Sequence, residues 1–446
     1  MGLPRVTVVG GGLAGCECAL ALAARGIPVG LHEMRPETMS PAHHTGHLAE
    51  LVCSNSLKAT RIDSAAGLLK AELERMGSAL LSCAREAAVP AGGALAVDRE
   101  RFSAAVEARI DSEPLIEVVR DEVTSLPLAP AVIAAGPLCA PALAEDIRQR
   151  VGGSSLAFFD AAAPIVDAST VDRDVLFAQS RYEDQGAGDY LNAPFNREEY
   201  ERFIDELVAA DRVVQKDFER GDLFQACQPV EEIARTGRDA LRFGALKPVG
   251  LTDPRTGHRP WAAVQLRAEN REGTAYNLVG FQTNLTWPEQ RRVFRLIPGL
   301  EQAEFFRYGV MHRNTFVDAP HVLDPTFAIP GTGVRLAGQI CGTEGYVEAI
   351  ASGLLAALQT HAELAGMPPV ALPRTGALGS LVAYATDPAT EGYQPMHVNF
   401  GLVPPLSDGR RRSKRDRYAA YSERALADLD AYIASRPDIW GAAGLG

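Results

Sequence analysis

The feature that most constrains this fold is a glycine loop set between a strand and a helix near the start of the chain. Arg5 to Val9 is a short apolar strand, and Gly10-Gly11-Gly12-Leu13-Ala14-Gly15 fits G-x-G-x-x-G. Cys16 to Arg25 is rich in alanine and leucine, as a buried helix would be. Val29 to Glu33 reads as a second strand, so the chain opens with a βαβ unit of a parallel sheet carrying helices on both faces. The glycines permit a tight turn and let a pyrophosphate approach the helix N-terminus. Glu33 ends the second strand where a ribose-binding acid belongs, about 20 residues beyond the loop.

A second glycine-rich turn lies far along the chain. Val334 to Ala337 is a strand end, and Gly338 to Gly345 a turn. A helix then opens near Tyr346 and runs to about Leu358. Its free N–H groups and positive dipole end suit electron-rich carbonyls or an anion. Gly338, Gly342, Thr343, Glu344, Gly345 and Tyr346 are therefore candidates for the far end of the ligand whose pyrophosphate lies on the first loop. The acid at Glu33 and this second site favour FAD over S-adenosylmethionine. No second fingerprint marks a separate nicotinamide domain.

Its 446 residues, 46% of them apolar, allow a large core and two domains. The expected architecture is α/β: a Rossmann-like FAD-binding domain, glutathione-reductase-like, with an inserted α+β domain. The texture turns charged and then Pro-, Gly- and Arg-rich near Asn196. This sets the first part of the FAD-binding domain at 1–195, the insertion at 196–312 and the return at 313–446. No apolar run reaches the length of a membrane span and no cleavable leader is apparent, so a cytoplasmic protein is expected. Seven cysteines without repeated spacing argue for reduced thiols, and the scattered histidines predict no metal site. The net charge of −12 is the wrong sign for a general nucleic-acid binder. The run Arg410, Arg411, Arg412 and Lys414 is nevertheless a candidate phosphate contact, against the plain reading of a solvated loop before the last helix.

Two cysteines stand out locally. Cys227 precedes Pro229, Glu231 and Glu232, a helix start whose dipole would stabilise a thiolate. Cys53 precedes Ser54-Asn55-Ser56, a turn or helix entrance. Cys83, Cys139 and Cys341 read as small buried apolar residues.

Several stretches together resemble the TrmFO family of folate- and FAD-dependent RNA (uracil-5-)-methyltransferases. They are the glycine loop with Glu33-Met34-Arg35-Pro36, Leu51 to Leu57, Phe159 to Pro164, Leu246 to Leu251, Tyr276 to Thr283, Val310 to Thr315, and Gly338 to Ala349. The resemblance implies methylation of uracil C5 in the T-loop uridine of tRNA. Methylenetetrahydrofolate would supply the carbon, reduced FAD the electrons, and NAD(P)H would reduce the flavin. Cys53 and Cys227 match the family's catalytic pair. Cys227 is favoured as nucleophile and Cys53 as general acid/base, with the order of roles open. His312 would stack on the folate. A ribosomal RNA target in a related branch, or a small-molecule FAD oxidoreductase, remains an alternative, and the oligomeric state is open.

Overall fold

A computed structural model describes residues 3–40, 42–152, 156–161, 163–181, 188–213, 228–309, 311–391, 393–407 and 410–441, with the backbone alone at 156–161 and 311–313. A six-stranded sheet is built from Ala328–Ile329, Val334–Leu336, Ala131–Ile133, Val6–Val9, Val29–His32 and Ile116–Val119, in that spatial order. All neighbours run parallel except the first pair. The first strand sits inside the sheet, and its apolar residues are buried from both faces, as a parallel sheet requires.

The glycine-loop helix, Leu13–Ala23, is almost wholly buried because the long helix Tyr346–Leu364 crosses it. Small residues make that crossing possible: a Cβ added to Gly353 would overlap the Ala14 carbonyl oxygen. The long helix runs six residues past the expected Leu358, through buried Gln359, Thr360 and Ala362. Helices Ala65–Met76 and Lys414–Ser435 pack on one another beside it.

A second six-stranded sheet, antiparallel throughout, comprises Phe177–Ala178, Tyr190–Phe195, Ala262–Ala268, Ala275–Leu278, Ile165–Asp167 and Phe305–Arg307. Helices Arg197–Ala209 and Trp287–Phe294 cover it, and Phe195, Phe203, Phe281 and Phe294 interlock in a separate core. Strands upstream of residue 196 therefore share this sheet with strands downstream of it. Their texture resembles that of the preceding segment, and only the long-range pairing with Ala262–Ala268 places them here. A ribbon of Leu156–Ala161 against Met311–Phe316 leads into and out of this unit.

Candidate active site

The first glycine loop, the end of the second strand and the second glycine turn converge on one cleft of about 990 Å³ including its open mouth. Gly10, Gly12, Leu13, Ala14, Glu33, Gly338 and Tyr346 line it. Gly11, Gly15, Gly342, Thr343, Glu344 and Gly345, expected at the same site, are not among its lining residues.

At one end, Glu33 is held from two sides. Its Oε2 accepts from the Gly11 N–H at 2.8 Å, and its Oε1 accepts from Arg35 Nε at 2.8 Å and from the Arg35 N–H at 3.0 Å. Burial pushes this carboxyl up, but the Arg35 guanidinium and the two backbone donors together hold it below its ordinary value. Carboxylate oxygens keep further lone pairs for a ribose hydroxyl. Arg35, itself 1% exposed, also donates to Glu50 at 3.0 Å. Beside it His43 lines the cleft, pushed down to about 4 by burial and then by the Arg35 charge. Arg35, Glu50 and His43 were not singled out as site residues from the sequence. An arginine two residues beyond the strand-ending acid was the available signal.

Two observations show that the loop fits a dinucleotide. A Cβ at Gly12 would meet no heavy atom within 4 Å, so nothing in the protein demands glycine there. Gly12 nevertheless caps a helix whose N-terminus has no side-chain cap and opens on the cleft. An anion close to the backbone needs that space. Gly15 differs, since a Cβ there would overlap the Gly10 carbonyl oxygen.

At the other end, Gly345 caps the long helix in the left-handed region (φ +115°), again without a side-chain cap. Thr343 Oγ1 donates to Gly338 O at 2.8 Å, and Gln339 Nε2 donates to Glu344 Oε1 at 2.6 Å; these bonds fix the turn. Tyr346 joins the turn to the Cys53 loop: its hydroxyl accepts the Cys53 N–H at 2.7 Å. Burial, and then the Cys53 charge, push the tyrosine hydroxyl up, so it stays neutral.

Cys53 sits in a bend leading into the strand Ser56–Ala59, so of the expected turn or helix entrance the chain takes the turn. Two guanidinium groups hold its loop. Arg99 donates to Leu51 O, and to Cys53 O at 3.2 Å, while Arg307 donates to Val52 O at 2.6 Å. Arg99 opens a helix near the first sheet and Arg307 ends a strand of the second, so the loop lies where the two units meet. Asn55 completes the joint, donating to Val97 O and Ala268 O, each at 3.0 Å, and accepting from Arg267 at 2.8 Å. The other described cysteines differ. Cys16, Cys18, Cys83 and Cys341 are buried, and burial pushes the thiols of Cys341 and Cys139 up to about 11 and 12.

Cys227 lies outside the described residues. The chain on either side is pinned to one turn: the Val213 N–H donates to Asn284 O at 2.8 Å, and the Val230 N–H donates to Gln282 O at 2.7 Å. The helix after it is Val230–Arg235, with Pro229 as its N-cap rather than its first residue. Glu231 is buried there, accepting from Thr283 Oγ1 and the Asn284 N–H, and burial pushes its carboxyl up to about 7. His312 lies on the connecting ribbon, opposite Asp160 in register. The structure does not gather Arg410, Arg411, Arg412 and Lys414 into the cleft. They lead into the last helix, where Lys414 stands 5.6 Å from the Tyr418 ring centre. Among the described residues no group of three His, Cys, Asp or Glu is placed to hold a metal ion, and no helix is long and apolar enough to cross a membrane.

Fold and cleft together define a Rossmann-like dinucleotide-binding protein of the FAD-dependent class, carrying a large antiparallel insertion. The profile described as "GIDA: Glucose inhibited division protein A" matches residues 5–368. A methylenetetrahydrofolate–tRNA-(uracil-5-)-methyltransferase TrmFO of Geobacter sulfurreducens is 56% identical over 96% of this chain and 99% of its own. The TrmFO of Desulforudis audaxviator is 53% identical over 97% and 98%. The chain belongs to the TrmFO family, within the wider GIDA group. Among solved structures, Aquifex aeolicus GidA shares the fold at a TM-score of 0.67 and 16% identity, covering 96% of this chain and 77% of that one.

Proposed function

We propose that this chain is a methylenetetrahydrofolate–tRNA-(uracil-5-)-methyltransferase that forms 5-methyluridine in the T-loop. The observation that carries the reading is the Cys53 loop, fixed by Tyr346 to the flavin end of the cleft and by Arg99 and Arg307 to both units. Glu33 would hold the ribose of FAD, the Gly12 loop its pyrophosphate, and the helix opening at Tyr346 the pyrimidine end of the ring. Bound FAD, recharged by NAD(P)H, supplies the electrons that turn a methylene into a methyl group.

The protein's own part is to activate uracil. C5 is a poor nucleophile until a thiolate adds to C6, which makes C5 an enolate carbon able to take the one-carbon unit. A second group then removes the C5 proton as tetrahydrofolate leaves, giving an exocyclic methylene; its reduction to a methyl group and loss of the C6–S bond free the product and restore the thiolate. Cys227 serves as the nucleophile and Cys53 as the general base. Arg99 and Arg307 add positive potential where Cys53 must carry charge. His312 stacks on the folate, and Arg410, Arg411, Arg412 and Lys414 contact RNA phosphates. The inserted unit runs from about 163 to 309, and the enzyme works in the cytoplasm.

The test is to incubate the protein with unmodified tRNA, labelled methylenetetrahydrofolate and NADH, and to look for labelled 5-methyluridine. A 5-fluorouridine substrate has no C5 proton to lose and should trap a protein–RNA adduct at Cys227. Trapping by Cys227→Ala but not by Cys53→Ala would reverse the two roles. Wild-type turnover in both single variants would remove thiol catalysis by this pair.

A further inference from the structure

The strand Ala262–Ala268 crosses the middle of the antiparallel sheet and connects two distinct places. At one end Arg267 and Ala268 bond to Asn55, two residues from Cys53. At the other end stands Trp261, roughly 20 Å away at about 3.4 Å per residue. Arg242, Phe243, Lys247, Val249, Arg259 and Trp261 border one shallow groove.

Phe243 is 83% exposed, an aromatic ring held in water beside cations. The Arg242 guanidinium lies 3.7 Å from the Trp261 ring centre and is fixed by the Trp261 carbonyl and by Asp239. Lys247 and Arg259 have no carboxylate partner among the described residues, whereas most of the described arginines do, Arg242, Arg255 and Arg292 among them. Unpaired cations beside an exposed ring suit a polyanion that also offers aromatic faces. A protein partner would be expected to meet a larger apolar centre.

Resting on the proposed RNA substrate, we infer that this groove docks the RNA at several nucleotides' distance from the target uridine. Lys247 and Arg259 take backbone phosphates, and Phe243 stacks on a base or packs on a ribose. The surface is separate from the basic run at 410–414, which belongs to the other unit. It holds the RNA in register while Cys53 and Cys227 act.

The experiment uses the full-length, FAD-loaded protein and an unmodified tRNA transcript, with binding measured by anisotropy across a salt series. For Lys247→Gln with Arg259→Gln, affinity should fall about tenfold and the salt slope by roughly 1.4–1.8, at ~0.7–0.9 per lost phosphate contact. Phe243→Ala should weaken binding at least about fivefold with the slope unchanged, as loss of stacking does. KM for tRNA should rise in both while kcat and flavin absorbance hold. If the variants bind and methylate tRNA as wild type does, the groove is not an RNA surface, and the proposed activity stands. A changed oligomeric mass with unchanged RNA affinity would give the face to a second copy and overturn the inference. If wild type neither binds nor methylates tRNA, the functional reading fails and this surface with it.

Discussion

Gly12 and Gly15 occupy neighbouring places in one motif, yet they are glycine for different reasons, and this makes the cofactor reading testable at single residues. A side chain at Gly15 strikes the Gly10 carbonyl, whereas one at Gly12 enters only the cleft. Gly12→Leu should fold, with a melting temperature near that of the flavin-free wild type, and purify colourless. Gly15→Leu should lose folded yield, since both clashing atoms are backbone. Full flavin absorbance in Gly12→Leu would place the pyrophosphate elsewhere. Tyr346 offers a second contrast. Tyr346→Phe removes the acceptor of the Cys53 N–H and frees the loop, while the ring still borders the cleft. Methyl transfer should fall about tenfold in kcat, the equivalent of ~1.4 kcal/mol, with KM for tRNA and flavin content nearly unchanged. A fall in flavin content of the same size would make Tyr346 a cofactor contact instead. Glu33 was legible from spacing alone because the βαβ unit fixes its distance from the glycines. Arg99 and Arg307 were not, because their partners lie 46 and 255 residues away.

At the scale of elements, the local signals were good wherever the chain folds on itself. The strand–loop–helix–strand opening and the last helix match the pattern of their apolar residues. The antiparallel strands did not declare their sheet, because alternation marks a strand and says nothing about its partner. The helix Ala65–Met76 hides another feature that pattern reading passes over. Lys70 sits inside it, 2% exposed, with its Nζ on the carbonyls of Ala59 and Ala66. Burial pushes this amine down to about 8 from its ordinary 10.5. Below pH 8 both folded and unfolded chains carry the proton, and the folded one bears the full burial cost. Above pH 10.5 neither carries it, so stability gained through this group rises between those values. Lys70→Met should therefore stabilise the protein at pH 7, by an amount of order 1–3 kcal/mol after the lost hydrogen bonds. That advantage should shrink as pH rises from 8 towards 10.5, as denaturant titrations at each pH would show. An advantage independent of pH would mean that Lys70 titrates normally.

Across the whole molecule, the two units meet through polar contacts rather than a shared apolar core. Their buried apolar residues form separate clusters, joined by arginines and backbone carbonyls. Such junctions resemble transient interfaces and leave relative motion as the default unless specific bonds oppose it. Asn55 is the specific bond here: one buried side chain ties the Cys53 loop, the strand Ala94–Val97 through the Val97 carbonyl, and the inserted sheet through Ala268 and Arg267. Asn55→Ala would strand two carbonyls and a buried guanidinium, at about 1–3 kcal/mol for each group that water does not reach. The loss falls on the coupling between units and leaves each core intact. Calorimetry should then resolve two transitions where wild type shows one, with the inserted unit melting first. Flavin content should persist while methyl transfer falls, because the cleft belongs to one unit and catalysis needs both. A single transition displaced as a whole would show that the units unfold together even without this bond, and that the arginine contacts suffice to couple them.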